Sequence, residues 1–219
     1  MSDLDPILKQ LTAAFPEASI ELIPNNSPAN QPSLLIAPDD LFGIAQWLKD
    51  QPAHQYDYLS NATGVDRLDE TVKEKVKKKE IVDGEEVETQ ETIERTTPGY
   101  LEAVYHLYSI VNRHGPLILR VRTANRSDQV TVPSLTPLWR SAEFQEREIF
   151  DLYGVIFDGH PDLRRLLMWD EFEDFPMRKD YVDPDDFEYE PTPHGSVLER
   201  ALPHQPAKTN ESTEKSPGA

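Results

Sequence analysis

Four carboxylates fall within nine residues of this chain, at Glu143, Glu146, Glu148 and Asp151. A di-metal centre built on them would need Glu-x-x-His pairs on two helices. The nearby histidine, His160, lies beyond Gly154, which should already have ended the helix. A glycosidase-like pair needs two carboxylates held a set distance apart. Spacing alone neither supplies nor forbids that, so a free-standing acidic enzyme using Glu143, Glu146, Glu148 and Asp151 stays open. Electrostatics offers a third use. Arg147 stands one helical turn from both Glu143 and Asp151, so it can be held from two sides. In an exposed helix such pairs are worth only tenths of a kcal/mol each. On a face that docks, they would set geometry.

Other chemistries lack their residues. Gly154 to Gly159 has the glycine spacing of a phosphate loop, but His160 and Pro161 stand where Lys and Ser/Thr are required. No G-x-G-x-x-G and no G-x-S-x-G occurs. With no Cys there are no disulfides, zinc ribbons, thiol nucleophiles or Cys-ligated iron–sulfur clusters in this chain. The net charge of −18 disfavours nucleic acid and anionic lipid, since phosphate contacts need a basic footprint. No apolar run approaches the ~18 residues of a membrane span. The acidic start, Met1-Ser2-Asp3-Leu4-Asp5, is unlike a targeting peptide, so the chain is expected to stay where it is made.

The elements that must position these residues can be read from periodicity. Leu4, Leu8, Leu11 and Phe15 recur at helical spacing and Pro16 ends that helix. Short strands are expected at 19–23 and 33–37. Pro38, with Asp39 and Asp40, opens a helix to about Asp50 that buries Leu41, Ile44, Trp47 and Leu48. Residues 56–65 form a strand. Residues 100–111 and 117–121 form two more, paired antiparallel through a turn at Gly115-Pro116. Thr136-Pro137 predicts an N-cap and first-turn proline for the carboxylate helix, which runs to Tyr153 with Gly154 as its stop. Leu138, Ala142, Ile149 and Leu152 would line its apolar side. The order indicates α+β: a mixed or antiparallel sheet with helices packed on it, plus an extended C-terminal segment.

Charge divides the chain into parts. Residues 1–66 begin the α+β domain and 98–169 complete it. In 98–169 all eight bases are Arg, which serves buried ion pairs and interfaces better than Lys. That stretch is expected to pack against something polar, internally or in a partner. Between them, 67–97 is a charged insertion, with five Lys in 73–79, then seven acids in 80–94, and Asp83-Gly84 between them. It reads as a hairpin, or alternatively as a short solvated helix over 72–80. Residues 170–190 are acidic, and 191–219, with five Pro, read as a disordered tail.

After the helix come Phe157-Asp158-Gly159-His160-Pro161-Asp162-Leu163-Arg164-Arg165-Leu166-Leu167, and later Pro176-Met177-Arg178-Lys179-Asp180-Tyr181. Pro161 holds His160 extended. These runs, with Glu146-Arg147-Glu148 and the Phe150-to-Gly154 stretch, resemble the C-type subunits of NADH-quinone oxidoreductase, the 30 kDa subunit family of respiratory complex I. Met177 replaces the usual Leu, and Phe144 stands where many members have Trp. The likeness is strong over 99–181, weak over 1–66 and absent over 67–97 and the tail. It implies a non-redox structural subunit of the hydrophilic arm, peripheral on the cytoplasmic face of the inner membrane. It would carry no cofactor, with FMN and iron–sulfur clusters in partner subunits. It would dock against the D-type subunit, the large subunit of the quinone site, with the B-type and G-type subunits among its neighbours. The interface residues so implied are Glu146, Arg147, Glu148, Asp151, His160, Pro161, Asp162, Arg164, Arg165, Arg178 and Lys179. A related membrane-bound hydrogenase or dehydrogenase complex would use the same type of subunit.

Overall fold

Alternation of apolar residues builds a sheet with one buried face. In the computed structural model, which describes residues 4–82, 85–127 and 129–182 (backbone alone for 73–82 and 85–93), five strands lie in the order β1-β2-β7-β6-β3. They are β1 (Ile20–Ile23), β2 (Ser33–Ile36), β3 (Tyr58–Arg67), β6 (Tyr100–Ser109) and β7 (His114–Arg122). All neighbours are antiparallel except β2 and β7, so the sheet is mixed. Leu101, Ala103, Tyr105 and Leu107 of β6 and Leu117, Leu119 and Val121 of β7 all point into one core, as a period of two requires.

Three helices cover that face. Helix α1 (Asp5–Ala14) contributes Leu11, and α2 (Pro38–Asp50) contributes Leu41, Ile44, Ala45 and Leu48. Trp47, expected in the core, is only half-buried. It leans on Phe15 and His54 at the rim, and Ala45 fills the place next to Ile44. Helix α3 (Ala142–Tyr153) lies on β3, bringing Ile149 and Ala142 into the core. Its close approach explains Gly64: a Cβ there would sit 2.5 Å from Cδ2 of Tyr153.

Two expected boundaries move, each because side chains capture backbone groups. The β6–β7 turn falls at 110–113, and Gly115-Pro116 lies inside β7. Asp57 accepts the Ile110 amide at 2.7 Å and Ser109 Oγ accepts that of Asn112 at 3.0 Å, closing the chain early. Likewise α3 begins at Ala142, not after Thr136. Glu146 accepts the Leu135 amide at 2.8 Å and the Thr136 hydroxyl at 2.9 Å, and 135–141 turn tightly, with the Trp139 amide on Leu135 O. Leu138 therefore stands outside the helix. The far end is as expected. Gly154 has φ +77, its amide donates to Phe150 O at 2.9 Å, and a Cβ would strike Phe175 at 2.6 Å.

Strands β4 (Glu70–Val82) and β5 (Glu85–Thr97) pair antiparallel in a sheet of their own, so 72–80 is strand and not helix. The expected Asp83-Gly84 turn, residues 183–190 and the expected disordered tail at 191–219 lie outside the described residues. A short parallel pair, β8 (Thr131–Pro133) with β9 (Ile156–Asp158), flanks α3. Residues 170–182 form turns without helix or strand. Among the described residues no helix is long and apolar enough to cross a membrane.

Candidate docking site

The acids of α3 do not form a solvated face. Glu146 and Asp151 are fully buried and Arg147 is 4% exposed, whereas Glu148 is exposed and Glu143 half-exposed. Burying an ionised carboxylate is tolerable only when its lone pairs are used. Glu146 Oε1 accepts from Tyr105 Oη (3.1 Å) and the Leu135 amide (2.8 Å), and Oε2 from Ser134 Oγ (2.5 Å) and Thr136 Oγ1 (2.9 Å). It ties α3 to β6 and to the loop before the helix. Burial, together with the Glu146 charge and hydrogen bond, pushes the Tyr105 hydroxyl well above its ordinary pKa, so Tyr105 remains a donor.

Asp151 organises the loop after the helix. Its Oδ2 accepts three consecutive amides, those of Leu166 (3.0 Å), Leu167 (2.6 Å) and Met168 (2.9 Å), while Oδ1 accepts Arg165 Nη1 at 2.8 Å. Burial raises its pKa, but the amides of Met168 and Leu167, the Arg165 guanidinium and the Leu166 amide more than offset this, and the net shift is downward.

Arg147 is not held by Glu143 and Asp151 as spacing suggested. Asp151 is engaged by the loop, and Glu143 pairs loosely with Arg140 at 3.6 Å. Arg147 instead donates from Nε to Arg164 O (3.2 Å) and from Nη2 to Arg165 O (3.0 Å), with Asp162 at 3.9 Å and Phe144 under its guanidinium. The loop carbonyls thus go to Arg147 and the loop amides to Asp151. His160 completes the brace. The Asp162 amide donates to Nδ1 (3.1 Å), which leaves the ring proton on Nε2 for Glu143 O at 3.0 Å. Pro161 is exposed beside it.

This scaffold holds one surface outward. Arg164 is exposed and anchored to Asp162 at 3.0 Å, and Leu166, Leu167 and Trp169, further along the same loop, are exposed as well, the last two 60% and 47%. Arg165 points inward, its guanidinium on Asp151 and over Phe172 and Phe175. The sequence-predicted set therefore divides. Arg147, Asp151, His160 and Arg165 build the loop, Glu146 fixes the segment before α3, Glu148 is exposed on the helix, and Arg164, Pro161 and Asp162 sit on the outside of the loop.

Arg178 and Lys179 belong elsewhere. Arg178 donates to Tyr153 O (2.8 Å), Arg126 O (3.2 Å) and Ser127 O (3.3 Å), and the Lys179 amide donates to Asp66 at 2.7 Å. Arg126 sits between Asp66 and Asp180 with two hydrogen bonds to each. Burial raises the Asp66 pKa, and the Arg126 and Lys179 hydrogen bonds overcome it, lowering it overall. This clamp, which fastens 175–181 to the core, was missed from sequence. Its members are 60 and 54 residues apart, and no local spacing marks them. Among the described residues, no group of three or more His, Cys, Asp or Glu is placed to hold a metal.

Comparison with known proteins agrees with the motif reading. The family described as "Respiratory-chain NADH dehydrogenase, 30 Kd subunit" matches residues 34–186, and the chain belongs to that family. A C-type subunit of NADH-quinone oxidoreductase from Rhizobium etli, the one numbered 2, is 40% identical over 147 residues, 67% of this chain and 62% of that protein. The C-type NADH-quinone oxidoreductase subunit of Roseiflexus castenholzii is 35% identical over 178 residues, 81% of this chain and 83% of that one. The chain thus spans about three fifths of the first relative and most of the second. A chain from a structure titled as the membrane-bound sulfane sulfur reductase, an archaeal respiratory membrane complex, shares the fold. It is similar at a TM-score of 0.53 and 18% identity, over 98% of this chain and 99% of that one.

Proposed function

We propose that this chain is a non-redox scaffold subunit of the peripheral arm of a proton-translocating NADH-quinone oxidoreductase. It docks against the D-type subunit beside the quinone module through the 160–169 loop. The observation that carries this reading is the loop itself. Buried charges on α3 satisfy its backbone on both sides, and the loop they hold exposes an arginine, two leucines and a tryptophan. Aromatic and Arg side chains on a rigid support are what interface hot spots are made of. The chain contributes position rather than chemistry: Glu146 and Asp151, the acids an enzyme would use, are each occupied by four hydrogen bonds. Flavin and iron–sulfur clusters would then reside in partner subunits, with the B-type and G-type subunits among its neighbours. The assembly would lie on the cytoplasmic face of the inner membrane. The family match, rather than the shared fold, favours a quinone oxidoreductase over a related membrane-bound complex.

The test is Arg164→Glu combined with Leu167→Asp in cells, read by native gels and by NADH-quinone activity of membranes. The expected result is loss of the chain from the complex, while the purified variant keeps its circular dichroism and melting temperature. Losing anchors in a desolvated contact costs about 2–5 kcal/mol, roughly 30-fold or more in association. Full assembly with full activity would refute the docking surface.

A further inference from the structure

The face of the sheet turned away from the helices carries a second feature. Alternation puts Val65 and Arg67 of β3, Tyr100, Glu102, Val104 and His106 of β6, and Ile118, Arg120 and Arg122 of β7 on this side. In a chain of net charge −18, it gathers cations. Glu102 is completely buried between Arg120 and Arg122, each of which donates its Nε to a different carboxylate oxygen. The terminal nitrogens of both guanidinium groups make no hydrogen bond within the described residues. Arg122 also stacks on Tyr100, with its Cζ 4.5 Å from the ring centroid. On the other side of Tyr100, the side chain of its cross-strand partner Arg67 makes no hydrogen bond or ion pair within the described residues. The other carboxylate on this face of the sheet is Glu21, on edge strand β1.

Arg67, Tyr100, Arg120 and Arg122 line a groove of about 460 Å³, walled by Pro24, Asn25 and Gln31 of the β1–β2 loop and floored by Val104 and Ile118. His106 also lines it, and His106 Nδ1 is buried without a hydrogen-bond partner among the described residues. Burial lowers the His106 pKa against a smaller opposing hydrogen bond to the Asn61 backbone, and with its proton in that bond the neutral ring presents Nδ1 as an acceptor.

We propose that this groove docks an extended acidic segment of another polypeptide, with carboxylates at alternate positions. Charge supplies the sign of the partner, and geometry its conformation. Arg120 and Arg122 are two residues apart on one strand, about 6.6 Å along it. That is the spacing between alternate side chains of an extended peptide laid alongside, so two carboxylates at i and i+2 meet two arginine forks in register. The intervening side chains would point away from the sheet, and the aliphatic stems of the acidic side chains would rest on Val104 and Ile118. Arg forks accept carboxylates in a planar, two-point fashion, which suits this use better than a point charge would. A small inorganic anion would use the cations but not the length or the apolar floor. This surface lies on the other side of the sheet from the 160–169 loop, and the inference does not rest on the function proposed above.

The test uses the full chain and a fluorescein-labelled synthetic hexapeptide of alternating Glu and Val, followed by fluorescence anisotropy at 0.05 and ~0.15 M salt. Controls are a peptide of the same composition with the three Glu consecutive, and inorganic phosphate as competitor. The alternating peptide should bind at least several-fold tighter than the clustered one. Arg67→Glu should weaken it about tenfold and leave the melting temperature unchanged, because the Arg67 side chain has no internal partner among the described residues. Arg122→Gln, which leaves Glu102 paired to Arg120, should weaken it by a similar factor. If Arg122→Gln does not fold, Arg67→Glu decides alone. Equal binding of the two peptides, unchanged affinity in Arg67→Glu, or displacement by phosphate at the peptide's own concentration would overturn the proposal, the last by making this a small-anion site.

Discussion

Asp151 and Glu148 lie three residues apart on one helix, and the structure assigns them opposite importance. In Asp151→Asn the shape is kept and the charge removed. The amide cannot serve both sides. If its oxygen faces the amides of 166–168, its NH2 meets Arg165 Nη1, donor against donor. If it is flipped, its NH2 meets three backbone N–H groups. A lost hydrogen bond to a charged group is worth about 1.5–3 kcal/mol, and a buried charge left unpaired about 3–5 kcal/mol. The Arg165 side chain is 13% exposed, so it recovers little from water, and about 3 kcal/mol is the expected cost. For a domain of this size that lowers the melting temperature by roughly 6–12 °C. The assay is thermal unfolding of the purified chain, with amide hydrogen exchange read at residues 166–168. Those three amides should exchange at least ~10-fold faster, since their common acceptor is weakened. Glu148→Gln, on the exposed side, should change stability by no more than about 0.5 kcal/mol. A melting temperature within ~1 °C of the parent, with unchanged exchange at 166–168, would refute the claim that Asp151 holds the 160–169 loop.

Gly64→Ala should destabilise the chain by at least ~1–3 kcal/mol, because its Cβ would overlap the Tyr153 ring and β3 cannot retreat without breaking its ladder to β6; Gly64→Ala with Tyr153→Leu should recover most of the loss on denaturant titration. Acid should act in two stages. Burial, with the nearby His114, lowers the His54 pKa below 6.5, so the unfolded chain takes up protons first and stability falls as pH drops from about 7 through the folded-state value. Asp66 and Asp151 are held below their ordinary value of 3.8, so their contribution persists to lower pH and disappears only as pH falls through their folded values. His54→Gln should shrink the first stage in pH-dependent melting, leaving the share of His106, whose pKa burial also lowers, and keep the second in place; an unaltered first stage would show that His54 does not contribute to it.

Local pattern was sufficient for most elements. The helical spacing of Leu8, Leu11 and Phe15, the alternation in 100–107, Pro38 with its acidic first turn and Gly154 as a helix stop each act within a few residues, and each recurs in the structure. The motif runs were likewise enough to name the family, because a family signature is a property of the sequence. What local pattern missed were boundaries set by distant acceptors. Thr136 has the composition of an N-cap, yet a buried carboxylate farther along the chain takes the Leu135 amide beside it and the helix starts only at Ala142. Gly115-Pro116 has the composition of a turn, yet Asp57 fastens Ile110 first.

The site shows the same division. Residue types were enough to say which charges the carboxylate helix carries and that Arg, rather than Lys, dominates 98–169. Which of those charges face inward was settled by packing. Helical spacing offered Arg147 two carboxylates, but desolvation reorders such preferences. A carboxylate with no access to water must find several donors, and three loop amides and a guanidinium satisfy Asp151 better than one neighbouring arginine could. Arg147, released from Asp151, then takes the loop carbonyls. Arg164 and Arg165, adjacent and identical in type, end on opposite sides of the loop, one 67% exposed and the other 13%. No reading of composition separates them. The difference comes from the backbone conformation that Asp151, Arg147 and His160 impose between them, and that exists only once α3 has packed on β3.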